Sequence, residues 1–115
     1  VKIYDCFTFY NELDLLDLRL SQLYDHVDHF VIVEATSTFQ NQQKPLYLKE
    51  NWSRYEQYHD KIIHVVVDLD NADPWQNERH QRDSIMLGLS DASSHDIAII
   101  GDVDEFIRPE AIATM

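Results

Sequence analysis

Residues 2–34 read KIYDCFTFYNELDLLDLRLSQLYDHVDHFVIVE, and the change of period along them decides the fold. Lys2 to Phe9 is short and rich in aromatic and β-branched residues, which predicts a strand. Asn11 stands where it can cap the next helix, with Asp14 three residues on in a capping-box-like position. Leu13, Leu16, Leu20 and Leu23 then recur at helical spacing, and Leu15 and Leu18 widen the apolar face of a helix running to about Asp25. His29 to Glu34 returns to strand character and is mostly apolar, as a strand buried on both faces would be.

The alternation continues outward. Ala35 to Lys44 is polar and predicts a loop, Pro45 to Lys49 a short extended piece, and Glu50 to His59 a short aromatic-rich helix. Lys61 to Val67 predicts a third strand closed by Asp68, Asp70 to Pro74 a loop, and Trp75 to Leu89 a helix. Asp96 to Gly101 predicts a fourth strand leading straight into Asp102-Val103-Asp104-Glu105, and Pro109 sits at the first turn of one more helix. Strands separated by helices predict an α/β domain over residues 1–115, with a mainly parallel sheet flanked by helices. In such sheets ligands bind at the carboxyl ends of the strands. Tyr10, Asn11, Glu12, Glu34, Asp68, Asp102 and Asp104 all fall on that rim, which is the candidate site.

The 115 residues are 44% hydrophobic and 26% charged, the profile of an ordinary globular domain. Twenty-one acidic against nine basic side chains give a net charge of −12, which repels phosphate backbones and argues against a nucleic-acid partner. An anionic ligand would need a metal ion or backbone N–H groups to offset the local charge. The single Cys6 excludes an internal disulfide and a Cys-based zinc cluster, and reads as a small core residue. No apolar run approaches the roughly 20 residues of a membrane span. Val1-Lys2-Ile3 leads directly into a strand, so the expectation is a chain without a leader in a reducing, cytosolic setting.

Asp102-Val103-Asp104 is the sharpest local feature. Two carboxylates flanking one residue after a buried strand can turn toward a common point, and such hard oxygen ligands suit Mn²⁺ or Mg²⁺ bridging to a diphosphate. The ion would neutralise charge on a leaving phosphate. In so acidic a chain the triplet can equally be a solvated strand-end turn; its place beside Glu34 and Asp68 raises its weight. In Glu78-Arg79-His80-Gln81-Arg82-Asp83, Arg79 and Arg82 share a helix face while Asp83 lies four residues from Arg79. This is either an i,i+4 ion pair on a solvated helix or a means of pointing Arg82 at a diphosphate or base carbonyl. The six His residues form no metal pattern, and Trp52, Tyr55 and Tyr58 read as core packing.

Taken together, Ile3-Tyr4-Asp5-Cys6-Phe7, Asn11-Glu12-Leu13-Asp14-Leu15-Leu16, Val31-Ile32-Val33-Glu34, Lys44-Pro45-Leu46-Tyr47, Lys61-Ile62-Ile63-His64-Val65, Asn77-Glu78 with Gln81-Arg82-Asp83, and Asp102-Val103-Asp104-Glu105 resemble glycosyltransferase family 17 through nearly the whole chain. The resemblance implies a GT-A-like (Rossmann-like) fold cut short after the Asp-x-Asp strand, the N-terminal donor-binding half. It also implies a UDP-N-acetylglucosamine donor, a glycan acceptor, a Mn²⁺ or Mg²⁺ ion at Asp102 and Asp104, and inversion at the anomeric carbon. By position, Asp102 would also face the ribose, Glu34 and Asp68 would lie beside the uridine, and Arg82 and Asp83 would line the pocket from the helix. Tyr10 and Asn11 are further donor-site candidates. The general base is expected outside this stretch. Ile107 stands where the family pattern has a proline, with Pro109 retained.

The resemblance places the protein in the cytoplasm if it is of bacterial type, and in the Golgi lumen if it is a eukaryotic relative separated from its anchor. A sheet cut short leaves an unpaired edge, which predicts self-association as a homodimer or marginal stability. The rival reading is a non-catalytic module that holds nucleotide or metal, or serves only for interaction. A phosphoryl-transfer hydrolase is disfavoured, because the acidic pair follows the fourth strand and lacks the Thr or Ser usual in that chemistry.

Overall fold

In the computed structural model, which describes residues 1–105 and 108–113, the chain forms one four-stranded sheet, all of whose pairings are parallel. Ile107 lies outside the described residues. The elements run β1 (Ile3–Phe9), α1 (Leu13–Leu23), β2 (His29–Ala35), α2 (Tyr47–Glu50), a 3-10 stretch over Trp52–Tyr58, β3 (Ile62–Val67), α3 (Pro74–Asp83), a 3-10 stretch over Ser84–Leu89, β4 (Ile97–Asp102) and α4 (Pro109–Ala113). The predicted α/β architecture is the one observed.

The sheet order is β3-β2-β1-β4. The chain therefore moves outward from β1 through β2 to β3, then returns across the sheet to lay β4 on the other side of β1. Parallel pairing demands such crossovers, since no tight turn can join strands of the same direction. The reversal makes the gap between β1 and β4 a topological switch point, the place where open α/β sheets leave a crevice at their carboxyl ends.

Residue alternation on β1 and β2 divides the core between the two sheet faces. On one face Phe7, Phe9, Phe30 and Ile32 pack against Leu16, Leu20 and Leu23 of α1 and against Leu48 and Tyr55. On the other, Tyr4, Cys6, Val31 and Val33 pack with Val67, Leu69 and Ile85. Gly88 is needed in this second layer, because a Cβ there would come within 2.4 Å of Val31 Cγ1. Cys6 is wholly buried, and burial, reinforced by the Asp5 charge, pushes its thiol up to about 12. The folded protein should therefore resist thiol reagents at pH 8 and react only on denaturation; a fast stoichiometric reaction of the native chain would contradict this packing.

Several local expectations are corrected. The Asn11–Asp14 capping box does not form: Glu12 precedes α1 without a side-chain cap, its carboxylate accepts the Tyr10 N–H at 3.2 Å, and Asp14 meets Arg54. The helix also ends at Leu23, short of Asp25. Tyr47–Glu50, which overlaps the piece expected to be extended over Pro45 to Lys49, makes one helical turn, because the buried Glu34 carboxylate accepts the Leu48 N–H at 2.7 Å near its start. The next segment is 3-10 and kinks at Tyr55, whose ring is buried and whose hydroxyl donates to the Leu13 carbonyl at 3.1 Å. The single helix expected over Trp75–Leu89 tightens to 3-10 after Asp83; Ser84 Oγ donates to the His80 carbonyl at 2.7 Å, a side-chain bond of the kind that disturbs α-helical continuation. Asp73 caps α3 by accepting the Trp75 N–H, with Pro74 in its first turn. No helix among the described residues is long and apolar enough to cross a membrane.

Candidate functional site

The strands end on one rim, at Phe9, Ala35, Val67 and Asp102. At the switch point between β1 and β4 lies a cavity of about 620 Å³. Thr8, Phe9 and Tyr10 line it from the end of β1, and Asp102, Val103 and Asp104 from the end of β4. Glu78, Gln81 and Arg82 reach it from α3; Ser37 to Gln40, Gln42 and Lys44 come from the loop after β2.

That loop is fixed from outside the cavity. Buried Asn77 of α3 donates to the carbonyls of Phe39 at 2.7 Å and Asn71 at 2.8 Å, while its own amide oxygen accepts the Asn71 N–H at 3.0 Å. Asn41 takes a left-handed φ of 64°, which Asn tolerates better than most side chains, and donates to the Asn71 carbonyl at 2.7 Å. Ser37 Oγ donates to the Leu69 carbonyl at 2.9 Å. The polar composition of residues 35–44 thus belongs to a pinned wall.

The acidic triplet forms a tight turn. The Glu105 N–H donates to the Asp102 carbonyl at 3.0 Å, and the Asp102 N–H donates back to Glu105 Oε1 at 2.8 Å. Glu105 lies over Gly101, where a Cβ would already stand 3.4 Å from the carboxylate. Val103 is buried in the core layer beneath. The middle residue of the triplet is thereby anchored, and both flanking carboxylates line the cavity. Asp102 Oδ1 accepts from Thr8 Oγ1 at 3.3 Å and lies 3.7 Å from Arg82 Nη2. Both Arg82 and Asp102 are about half exposed, so their attraction is solvent-screened and worth little by itself. Arg82 nevertheless points toward the rim, and no Arg79–Asp83 ion pair forms among the described residues.

Tyr10, Arg82, Asp102 and Asp104 therefore meet on one cavity. Asn11, Glu34, Asp68 and Asp83 do not line it. Asn11 is exposed just before α1. Asp68 accepts from Thr36 Oγ1 at 2.7 Å. Asp83 faces a separate cavity with Asp70, Arg79 and His80. Glu34 is wholly buried, one oxygen taking the Leu48 N–H and the other lying 2.9 Å from His64 Nε2. Glu34→Leu leaves the buried Leu48 N–H without its acceptor, and should lower stability by about 1–3 kcal/mol in a urea melt. An unchanged melt with a loss of ligand affinity would instead give Glu34 a role at the ligand.

Lys44 is the cation that no spacing in the sequence singles out. Its ammonium lies 5.1 Å from the Tyr10 ring centroid and 5.6 Å from that of Tyr47, and donates to the Pro45 carbonyl at 3.1 Å. Partial burial pushes its pKa below the ordinary lysine value, against the opposing pull of Glu34 and Glu12. Only its place in a Lys-Pro-Leu-Tyr block marks it, since one lysine in a polar loop carries no periodic signal.

The cavity holds four carboxylates, Glu12, Glu78, Asp102 and Asp104, against two cations, Lys44 and Arg82. No group of three His, Cys, Asp or Glu side chains among the described residues is arranged to hold a metal by itself. Two exposed carboxylates on a rigid turn do suit a small hard divalent ion of the kind that keeps water and takes its remaining ligands from phosphate oxygens.

The sequence profile of glycosyltransferase family 17 matches residues 1–115. The chain is 27% identical over 114 residues to the rat β-1,4-mannosyl-glycoprotein 4-β-N-acetylglucosaminyltransferase, covering 90% of this chain and 21% of that protein. It is 30% identical over 105 residues to the human protein of the same name, covering 83% of this chain and 20% of the relative. The chain thus spans about a fifth of the length of these relatives. No solved structure matches it. With the profile matching from end to end, the chain belongs to glycosyltransferase family 17.

Proposed function

We propose that this region supplies the donor site of a metal-dependent, inverting glycosyltransferase that moves N-acetylglucosamine from UDP-N-acetylglucosamine to a glycan acceptor. The observation that carries the reading is the cavity at the β1/β4 switch point, with Asp102 and Asp104 presented on one braced turn, in a chain of this family. The names of the relatives support the sugar.

In this reading Asp102 and Asp104 hold a Mn²⁺ or Mg²⁺ ion, which when bound offsets the charge of the diphosphate. Lys44, from the loop after β2, and Arg82, from α3, meet the diphosphate's remaining charge. Thr8, Ser37 and Gln42 supply neutral hydrogen-bonding groups for the nucleoside. Transfer makes a bond from the acceptor oxygen to the anomeric carbon as the bond to the β-phosphate oxygen breaks, and UDP leaves with the bonding pair. The acceptor's proton passes to a general base that is assigned to none of these residues.

The test is a competitive titration against UDP, UDP-N-acetylglucosamine and GDP in the presence of Mn²⁺. Preference for the uridine nucleotides supports the reading, and equal binding of GDP contradicts it. Because a neutral Lys44 cannot offset phosphate, affinity should fall as pH rises, beginning below the range of an ordinary lysine. Lys44→Met should remove that pH dependence; a profile identical in the variant would take Lys44 out of the site.

A further inference from the structure

Resting on that donor-site reading, we propose that Arg19, oriented by Asp5, is the positioning residue that sets the Asp102–Glu105 turn for ligand binding. Arg19 lies on the face of α1 that carries Leu16, Leu20 and Leu23, and it is 1% exposed in the middle of an apolar layer. It does not line the cavity. Its Nε and Nη2 donate to the two oxygens of Asp5 at 2.8 and 2.7 Å, and its guanidinium carbon lies 4.4 Å over the Phe7 ring. The remaining nitrogen, Nη1, donates to the carbonyls of Asp102, Val103 and Glu105 at 3.0, 3.1 and 2.7 Å.

Asp5 takes two of the five N–H groups of Arg19, and buried ion pairs seldom stabilise more than packed apolar side chains of the same size, so the pair by itself does not account for the residue. Here the planar fork fixes Nη1 by anchoring the other two nitrogens, and Nη1 gathers three carbonyls of a segment more than 80 residues away. Drawing those carbonyls inward, with Val103 buried beside them, leaves the Asp102 and Asp104 side chains on the cavity side. The same grip places a cation behind the turn, on the side away from the ligand. Arg19 acts through backbone and touches no ligand, as the groups that orient metal ligands from behind do.

Two variants separate positioning from mere stability. Asp5→Leu with Arg19→Met replaces the pair by apolar side chains and leaves no unpaired buried charge, while Arg19→Lys keeps a charge without the fork. Gly88→Ala, which overpacks Val31 in the opposite layer, serves as a destabilised control. Each is titrated with UDP in Mn²⁺, and amide exchange is read at Asp102 and Glu105, whose N–H groups close the turn. The double variant should melt cooperatively, exchange faster at those two amides, and bind roughly 10–100-fold more weakly, with the lysine variant between it and the wild type. The control should keep wild-type affinity. Wild-type affinity in a cooperatively melting double variant would overturn the proposal; if that variant does not fold, wild-type affinity in the lysine variant does so. Absence of binding by the wild type would mean that the donor-site reading fails and the proposal with it, so the two failures are told apart by the first titration.

Discussion

Arg19→Ala is expected to lower the stability of the chain by about 3–5 kcal/mol, because it leaves the Asp5 carboxylate buried without a counter-ion. Asp5 and Arg19 are each 1% exposed, so water cannot replace the lost partner without opening the layer between β1 and α1. Three carbonyls of the Asp102–Glu105 turn also lose a donor. Set against a total stability of about 5–15 kcal/mol for a domain of ordinary size, the variant should be marginal or unfolded at 37 °C. A urea melt of wild type and variant measures this directly, and a loss below about 1 kcal/mol, the level of an exposed ion pair, would show that the pair is not sealed from solvent. Replacing both partners by Leu and Met should cost far less than Arg19→Ala alone.

Asp104→Asn has the opposite profile: a large loss of binding with almost no change in stability. The Asp104 carboxylate is exposed, takes part in no hydrogen bond or ion pair among the described residues, and lines the cavity. Its replacement by the isosteric amide should therefore move stability by no more than about 0.5 kcal/mol. Metal-dependent UDP affinity should fall more than about 100-fold, beyond the 10–100-fold that changes behind the metal ligands cost. Asp102 is the less clean position, since it accepts from Thr8 and faces Arg82. Parallel titrations and melts of the two variants would read the difference; an Asp104→Asn protein that binds like the wild type would remove the acidic turn from the donor site.

The architecture is readable in the sequence because its signals are periodic. Leu13, Leu16, Leu20 and Leu23 mark α1, and the mostly apolar run His29 to Glu34 marks a central strand that is indeed covered on both faces. Strand order is not readable, because periodicity says which face of β4 is apolar and nothing about which strand it joins. That order decides the site: with β4 beside β1, Thr8 and Asp102 fall in register, and the cavity opens there. The acidic strand ends read as equivalent members of one rim, yet Glu34 is consumed in fixing α2 and Asp68 holds Thr36. Whether a carboxylate at a strand end faces a ligand or a neighbouring backbone N–H depends on the loop folded over it, and loops carry no period. For the same reason Ser37, Gln42 and Lys44 look in sequence like any solvated loop residues. Arg19 is hidden differently, as a basic residue on an apolar helix face whose partners lie 14 residues upstream and more than 80 downstream. A charged residue at a core position of a helix is the signal that points to it.

If the turn closing β4 presents two carboxylates to a metal-bound diphosphate, nucleotide binding must depend on the ion. Calorimetric titration of the wild-type chain with UDP, once with Mn²⁺ and once with a chelator, tests it most directly. Saturable binding in Mn²⁺ that disappears with the chelator is expected. Binding of equal strength in both, or none in either, would contradict it.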